Sequence, residues 1–392
     1  MPFAWEASRV TNTTHADVVV IGLGVIGLST AGALARRGNA VVGIDRWGSG
    51  HPVTSSTGAS RSIRVAYDDE RYVRLAREAF EGWHRLEASQ DVSLLVETGQ
   101  IDLGPDAKLD ALAAAMRAAG VPFDELDASD VRGRFPELAM RAGERALFHP
   151  EGGTVLADAA MRALTADAVG AGASLSMPER CIAIETAVDK VTVVTDQRMV
   201  RAARVVIAAG PWSGELLHAV GIDLPLAPAI AQVTFLRSSQ LVGRPGLADW
   251  LRDDGVGVYG HPVPGVGYKV AFDAGSSEPW LPDVEEWRAD LAEQDRLVTW
   301  LVERMPTIEP SVALTQRHPW TMTPDGDFAI GRRGPIVVAA GCSGHAFKFG
   351  PALGVLVADV TDGVARNDLG LFSLDRSAMR IGSASPSTPI SR

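Results

Sequence analysis

The chain has 392 residues, 46% of them apolar, enough for two or three domains with buried cores and too apolar for a disordered segment. Its formal net charge of −11 argues against a nucleic-acid surface or an anionic membrane surface as the main partner. The two cysteines, Cys181 and Cys342, lie far apart and in no metal-like spacing, so neither a disulfide framework nor a metal site is expected, which fits a reducing, cytoplasmic compartment.

No apolar run reaches about 18 residues, so no membrane-spanning helix is predicted. Residues 1–16 carry no apolar signal core and read as a flexible extension. Residues 17–45 then read as strand, glycine turn, helix and strand. Val18 to Ile21 are an apolar run, as in a strand buried on both faces. Gly22, Gly24 and Gly27 fit G-x-G-x-x-G: the first for a tight turn, the second for close approach of a pyrophosphate, the third for packing of helix on strand. The helix opened by Val25 and Ile26 offers its first N–H groups and a partial positive charge to that anion. Small and apolar residues continue to Leu34, with Gly38 as C-cap, and the second strand ends in Asp45, placed for a ribose hydroxyl. The stretch reads as a dinucleotide-binding turn rather than an ordinary strand–helix corner, and does not choose NAD from FAD.

A small polar loop follows, HPVTSSTGASRS, ending near Arg61 and Arg64 and suited to a phosphate or a flavin edge. Helical spacing covers residues 69–88 and 109–119, with strands around Gly99 over residues 94–103. Residues 148–155 form a glycine turn region, and Asp158 is placed to cap a helix reaching Gly170. Strands are predicted over residues 181–195 and 204–208, the second leading into AAGPWSGELL, which has the form of another cofactor-side turn. Residues 230–272 are strand-like, and residues 284–305 are predicted as one long helix with Trp287, Leu291, Leu297 and Leu301 on its core side. A second strand–glycine–helix unit closes the pattern: strand 336–340, a turn at Gly341, Ser343 and Gly344, then an apolar helix to about Val360. Lys348 sits between Phe347 and Phe349 at the start of that helix, where a cation opposes the dipole and calls for an anion. The SASPSTPISR end reads as a disordered tail, residues 381–392.

Taken together, IGLGVIGL, RSIRVAY, AAGPWSGELL, GYKVAFD and above all AAGCSGHAFKFG resemble the monomeric sarcosine oxidase and N-methyltryptophan oxidase branch of the D-amino-acid-oxidase-like FAD-dependent oxidoreductases, over residues 18–376. The resemblance implies FAD as cofactor and an α/β fold. It implies a Rossmann-like FAD-binding domain, discontinuous over residues 17–90, 150–217 and 315–380, and a mixed-sheet α+β substrate domain over residues 91–149 and 218–314, with ligands between the two. It assigns to FAD binding Gly22, Gly24, Val25, Ile26, Gly27, Asp45, Arg46, Ser55, Ser60, Arg61, Cys181, Gly210, Trp212, Gly341, Gly344, His345 and Lys348. Ser56 departs from the family's usual residue in the flavin-contacting loop.

Arg64 and Lys348 align with the family's substrate-carboxylate pair, Lys269 with the lysine that promotes reaction with oxygen, and Tyr259 with a tyrosine of the substrate cavity. Two departures stand out. His318, in HPWTMTPDGD, falls where close relatives attach flavin through a cysteine, so FAD is expected to bind non-covalently, a histidyl linkage being the minor alternative. Asp273 falls where the family has an active-site histidine, which points away from sarcosine toward a larger or more polar amine. The reaction implied is oxidation of a secondary, N-methylated or cyclic amino acid by hydride transfer to flavin, with molecular oxygen as second substrate and hydrogen peroxide as product. A dehydrogenase using another acceptor and a non-catalytic flavoprotein are the alternatives. The family leans to a monomer.

Overall fold

The computed structural model describes residues 12–48, 50–238, 240–250, 256–273, 280 and 288–380. The chain divides into two units. Of the described residues, the first comprises 12–57, Met161–Ala227 and 321–380; the second comprises Gly58–Ala160 and Pro228–Trp320.

The first unit is built on a six-stranded sheet in the order Ser174–Ser176, Val41–Ile44, Val18–Ile21, Arg204–Ile207, Ile336–Ala340, Ala329–Arg333. The first five strands are mutually parallel and the last is antiparallel. Val18–Ile21 and Ile336–Ala340 are buried along their whole length, which explains their unbroken apolar sequences. The helices Val25–Arg36 and Gly350–Asp362 come together through Gly354, where a Cβ would stand 2.5 Å from Ser29. A four-stranded sheet adds Thr13–His15, Met199–Ala202, Lys190–Thr195 and Cys181–Ala187. Its edge corrects the expectation of a loose extension up to residue 16: Thr13–His15 pairs in parallel with Met199–Ala202. Three residues are too few to show a period in sequence.

The second unit is built on an eight-stranded mixed sheet, in the order Val312–Met322, Ala227–Leu236, Gly267–Phe272, Val258–Val263, Gly246–Asp249, Gln100–Leu103, Ala146–His149, Asp124–Leu126. Gly246–Asp249 runs parallel to Gln100–Leu103. Strand alternation splits the side chains between two faces. Ile101, Leu103, Leu247, Tyr268, Val270 and Phe272 face one way and make a core with Leu297, Trp300 and Leu301 of the helix Leu291–Arg304. Gln100, Asp102, Ala248, Tyr259, His261, Lys269 and Ala271 alternate with them and belong to the opposite face. A three-stranded sheet joins Ser60–Arg64, Gly152–Leu156 and Leu95–Glu97.

The helix predicted over residues 284–305 begins only at Leu291, because Asp290 accepts from the Glu293 N–H as its N-cap; residues 284–287 lie outside the described residues, as does the tail 381–392. Asp158 is not a cap: it lies inside the helix Ala157–Gly170, and its Oδ1 accepts from the Gly58 N–H at 2.9 Å. Residues 58–90 and 150–160, grouped by sequence with the dinucleotide-binding segments, fall in the second unit, because Ser60–Arg64 pairs with Gly152–Leu156. Residues 315–320 fall there too.

Candidate cofactor and substrate sites

In the first unit the strand Val18–Ile21 delivers the chain into the glycine turn. Gly22 has φ +92°, and a Cβ there would stand 2.5 Å from the Ala208 carbonyl oxygen. A Cβ on Gly27 would stand 1.8 Å from the Gly22 oxygen, so only glycine lets the helix start this close to the strand. The Val25 N–H donates to Ser56 Oγ at 3.1 Å. Ser56 thus occupies one of the helix's first N–H groups and adds a hydroxyl at the helix N-terminus. Ile26 follows in the same first turn.

Asp45 closes the next strand. Its Oδ2 accepts from the Leu23 N–H and its Oδ1 from the Trp47 N–H, each at 2.7 Å. Burial raises its pKa and these two donors oppose the rise. Arg46 lies over the Trp47 ring, 4.6 Å from its centroid, and Trp47 Nε1 is buried with no acceptor among the described residues. Ser55 Oγ stands 3.7 Å from where a Cβ on Gly210 would lie, and Gly210, with Trp212, forms the 3-10 turn after Arg204–Ile207. Gly341 and Gly344 adopt φ +67° and +77°. His345 donates from Nε2 to the Gly326 carbonyl at 3.1 Å and stacks on Phe328. Lys348, 8% exposed, donates from Nζ to the His345 carbonyl at 3.1 Å. Cys181 opens the strand Cys181–Ala187, and burial pushes its thiol up to about 12, so it stays protonated. Glycines that admit no side chain and an orphaned indole N–H fit a bound dinucleotide.

The second unit gathers the other candidates. Arg64, 8% exposed, ends the strand Ser60–Arg64, with its guanidinium 4.2 Å from the centroid of the buried Tyr67 ring. Lys269, 2% exposed, donates from Nζ to the Ser60 carbonyl at 2.9 Å. His261 Nε2 lies 3.2 Å from Ser60 Oγ, and its ring is nearly parallel to that of Tyr259. Burial, seconded by the Arg61 charge, pulls the Lys269 pKa well below the lysine range. The same burial, with Arg61 and Lys269, pulls His318 well below the histidine range. Tyr259 is pushed up to about 12 by burial and by Asp273, with Arg61 opposing. Tyr67 is raised by burial, lowered by Arg64 and raised by Asp273, Asp68 and Asp102.

This structure therefore brings Arg61, Arg64, Tyr259, Lys269, Asp273 and His318 into one electrostatic neighbourhood within the second unit. Sequence reasoning passed over Tyr67, His261 and Asp102. Tyr67 ends RSIRVAY, read only as a motif. Asp102 had a signal, since Gln100 and Asp102 are polar at alternate positions of an otherwise apolar strand.

Residues 17–360 match the family model described as FAD dependent oxidoreductase. Peroxisomal sarcosine oxidase of Homo sapiens is 30% identical over 376 residues, spanning 92% of this chain and 96% of that protein. N-methyl-L-tryptophan oxidase of Yersinia pestis is 28% identical, spanning 92% and 99%. Among solved structures, the open form of NikD, described as an unusual amino acid oxidase essential for nikkomycin biosynthesis, superposes with a TM-score of 0.80 at 28% identity, covering 92% of this chain and 97% of that one. No helix among the described residues is long and apolar enough to cross a membrane. The match over residues 17–360 and the glycine cradle lead to one conclusion: this chain belongs to the FAD dependent oxidoreductase family.

Proposed function

We propose that this enzyme oxidises a secondary, N-methylated or cyclic amino acid and returns the electrons to molecular oxygen as hydrogen peroxide. The observation that carries the reading is the buried Arg64 guanidinium seated on Tyr67, in the same unit as the buried Lys269. Arg64 offers two parallel N–H donors to the substrate's carboxylate, and the Tyr67 ring fixes their plane. Lys348 is proposed, on the family resemblance alone, as a second anchor for that carboxylate. Bound FAD would supply the redox chemistry, as a two-electron acceptor for the substrate's C–N bond that oxygen can regenerate. The Gly22–Gly27 turn, Asp45 and Ser56 hold it, non-covalently.

The amine must react neutral, because an ammonium has no lone pair to push out a hydride. The buried, cationic surroundings of Arg61 and Arg64 favour that neutral form. Positioning and electrostatics are the protein's contribution, and no side chain is assigned as base. Asp273 and Tyr259 set the polarity around the amine. The product imine hydrolyses in water.

The test is anaerobic mixing of the yellow holoenzyme with sarcosine, other N-methyl, cyclic, L- and D-amino acids, then admission of air. Bleaching by a member, followed by rapid recovery with peroxide formed, supports an oxidase. Bleaching without recovery would instead support a dehydrogenase. That second reading draws on one observation, that burial and Arg61 work against a positive charge on Lys269.

A further inference from the structure

The register of the eight-stranded sheet lays out one face of the second unit row by row. Ala248, Tyr259 and Ala271 are cross-strand partners and form one row. The next row is Trp250, Gly257 and Asp273. Trp250 follows Ala248 by two residues and Gly257 precedes Tyr259 by two. The Asp273 N–H donates to the Gly257 carbonyl at 2.8 Å, which carries the ladder one step past Phe272. The Trp250 indole fills the space over Gly257, where a Cβ would stand 2.4 Å from its Cε3. The indole therefore lies over the residue bonded to Asp273, and Tyr259 stands diagonally across from that carboxylate. Trp250, Tyr259 and Asp273 are each partly exposed, so this end of the face has open surface.

The chemistry of this group points to a cation. A carboxylate beside two aromatic rings recognises a protonated nitrogen, because the acid takes its N–H groups and the rings take its charge. Lys108 already places Nζ 5.3 Å from the centroid of the Trp250 ring, its own charge matched by Asp68 at 3.0 Å. The Asp273 charge reaches Tyr259 and also Tyr67, the ring that carries the Arg64 guanidinium. A carboxylate-binding cation and a cation-binding carboxylate therefore act on one buried ring. Held against the reacting nitrogen, Asp273 would keep it as the ammonium, which cannot release a hydride. Met by a second nitrogen that stays protonated, it anchors the side chain instead.

We propose that Asp273, walled by Trp250 and Tyr259, receives a second, protonated basic group on the substrate's side chain, so that the enzyme acts on dibasic amino acids in preference to sarcosine and to neutral ones. The inference rests on the amino-acid oxidase reading given above and on Arg64 as the carboxylate anchor.

The test compares racemic Nα-methyllysine with racemic N-methyl-2-aminoheptanoate, whose side chain has the same length and ends in a methyl group in place of the ammonium. Both are mixed with the holoenzyme, and kcat/KM and anaerobic flavin bleaching are measured. The wild type is expected to prefer Nα-methyllysine by at least about tenfold, the equivalent of one charge-assisted contact. Asp273→Asn should bring the ratio of the two kcat/KM values to about one. Where that variant does not retain flavin, Trp250→Leu, which keeps the carboxylate and removes one aromatic wall, should lower the ratio by at least about threefold. Equal values in the wild type, or a preference that survives the substitution, overturn the assignment of Asp273 and leave the oxidase reading standing. The same holds if neither compound bleaches the flavin while another amino acid does. Bleaching by no amino acid at all overturns the oxidase reading, and the Asp273 inference with it.

Discussion

The Lys269 side-chain nitrogen lies 2.9 Å from the Ser60 carbonyl oxygen, joining the middle of the eight-stranded sheet to the strand that ends in Arg64. Both residues are buried, and Arg61, next to Ser60, opposes a charge on Lys269. Replacing this lysine by methionine keeps the length and removes the donor. We expect Lys269→Met to slow reoxidation of the reduced enzyme by oxygen by about 100-fold, in the range found when a preorganised donor is lost. Flavin reduction by substrate should change by less than about threefold. Stopped-flow measurement of the two half-reactions checks this, and equal loss in both would count against the role in oxygen chemistry.

Arg64 combines a planar guanidinium with a face on Tyr67. Arg64→Lys keeps the charge but loses the fork and the stacking. The KM for the best amino acid and the Kd for a carboxylate inhibitor should rise by about 10- to 100-fold, the equivalent of one or two charge-assisted hydrogen bonds. An unchanged KM would remove Arg64 from the substrate site.

Two glycine variants separate turn strain from steric clash. Gly38 has φ +88° with nothing within 4 Å of an added Cβ, so Gly38→Ala should cost about 1 kcal/mol from the backbone alone. Gly22 has φ +92° and backbone 2.5 Å away, so Gly22→Ala should cost about 3 kcal/mol and release flavin. Urea unfolding and flavin content of the two purified variants give the comparison.

His318 carries the pH dependence. Its folded pKa lies well below the unfolded value of 6.5, because burial and the Arg61 and Lys269 charges disfavour the imidazolium. Below pH 6.5 the unfolded chain takes up a proton that the folded chain refuses. Stability is therefore full above pH 6.5 and falls as pH drops toward the folded pKa, by up to about 1.4 kcal/mol per pH unit. His318→Gln should flatten that part of the curve. Thermal unfolding of both proteins between pH 5 and 8 provides the test, and parallel curves would contradict it.

A neutral, buried His318 also bears on how flavin is held. Precipitating the protein with acid is expected to leave all the flavin in the supernatant. Yellow colour remaining in the pellet would show a covalent link, with His318→Gln deciding whether it runs through this residue.

Local pattern made the glycine turn and its strands readable, because dinucleotide binding needs particular residues at fixed short spacing, whereas the SGHAFKF segment spoke only through its family resemblance. The apolar runs Val18–Ile21 and Ile336–Ala340 and the cap at Gly38 were legible for the same reason. Asp273 and His318 were visible as residues but not as neighbours of Tyr259 and Lys269. What only the tertiary structure decided is the pairing of segments distant in sequence. Pairing of Ser60–Arg64 with Gly152–Leu156 drew residues 58–90 and 150–160 into the second unit, and Thr13–His15 became a strand only through Met199–Ala202. Sequence alone carries the period that turns a residue toward a face; which residues share that face depends on strand order and register, and those are set by contacts across the whole chain.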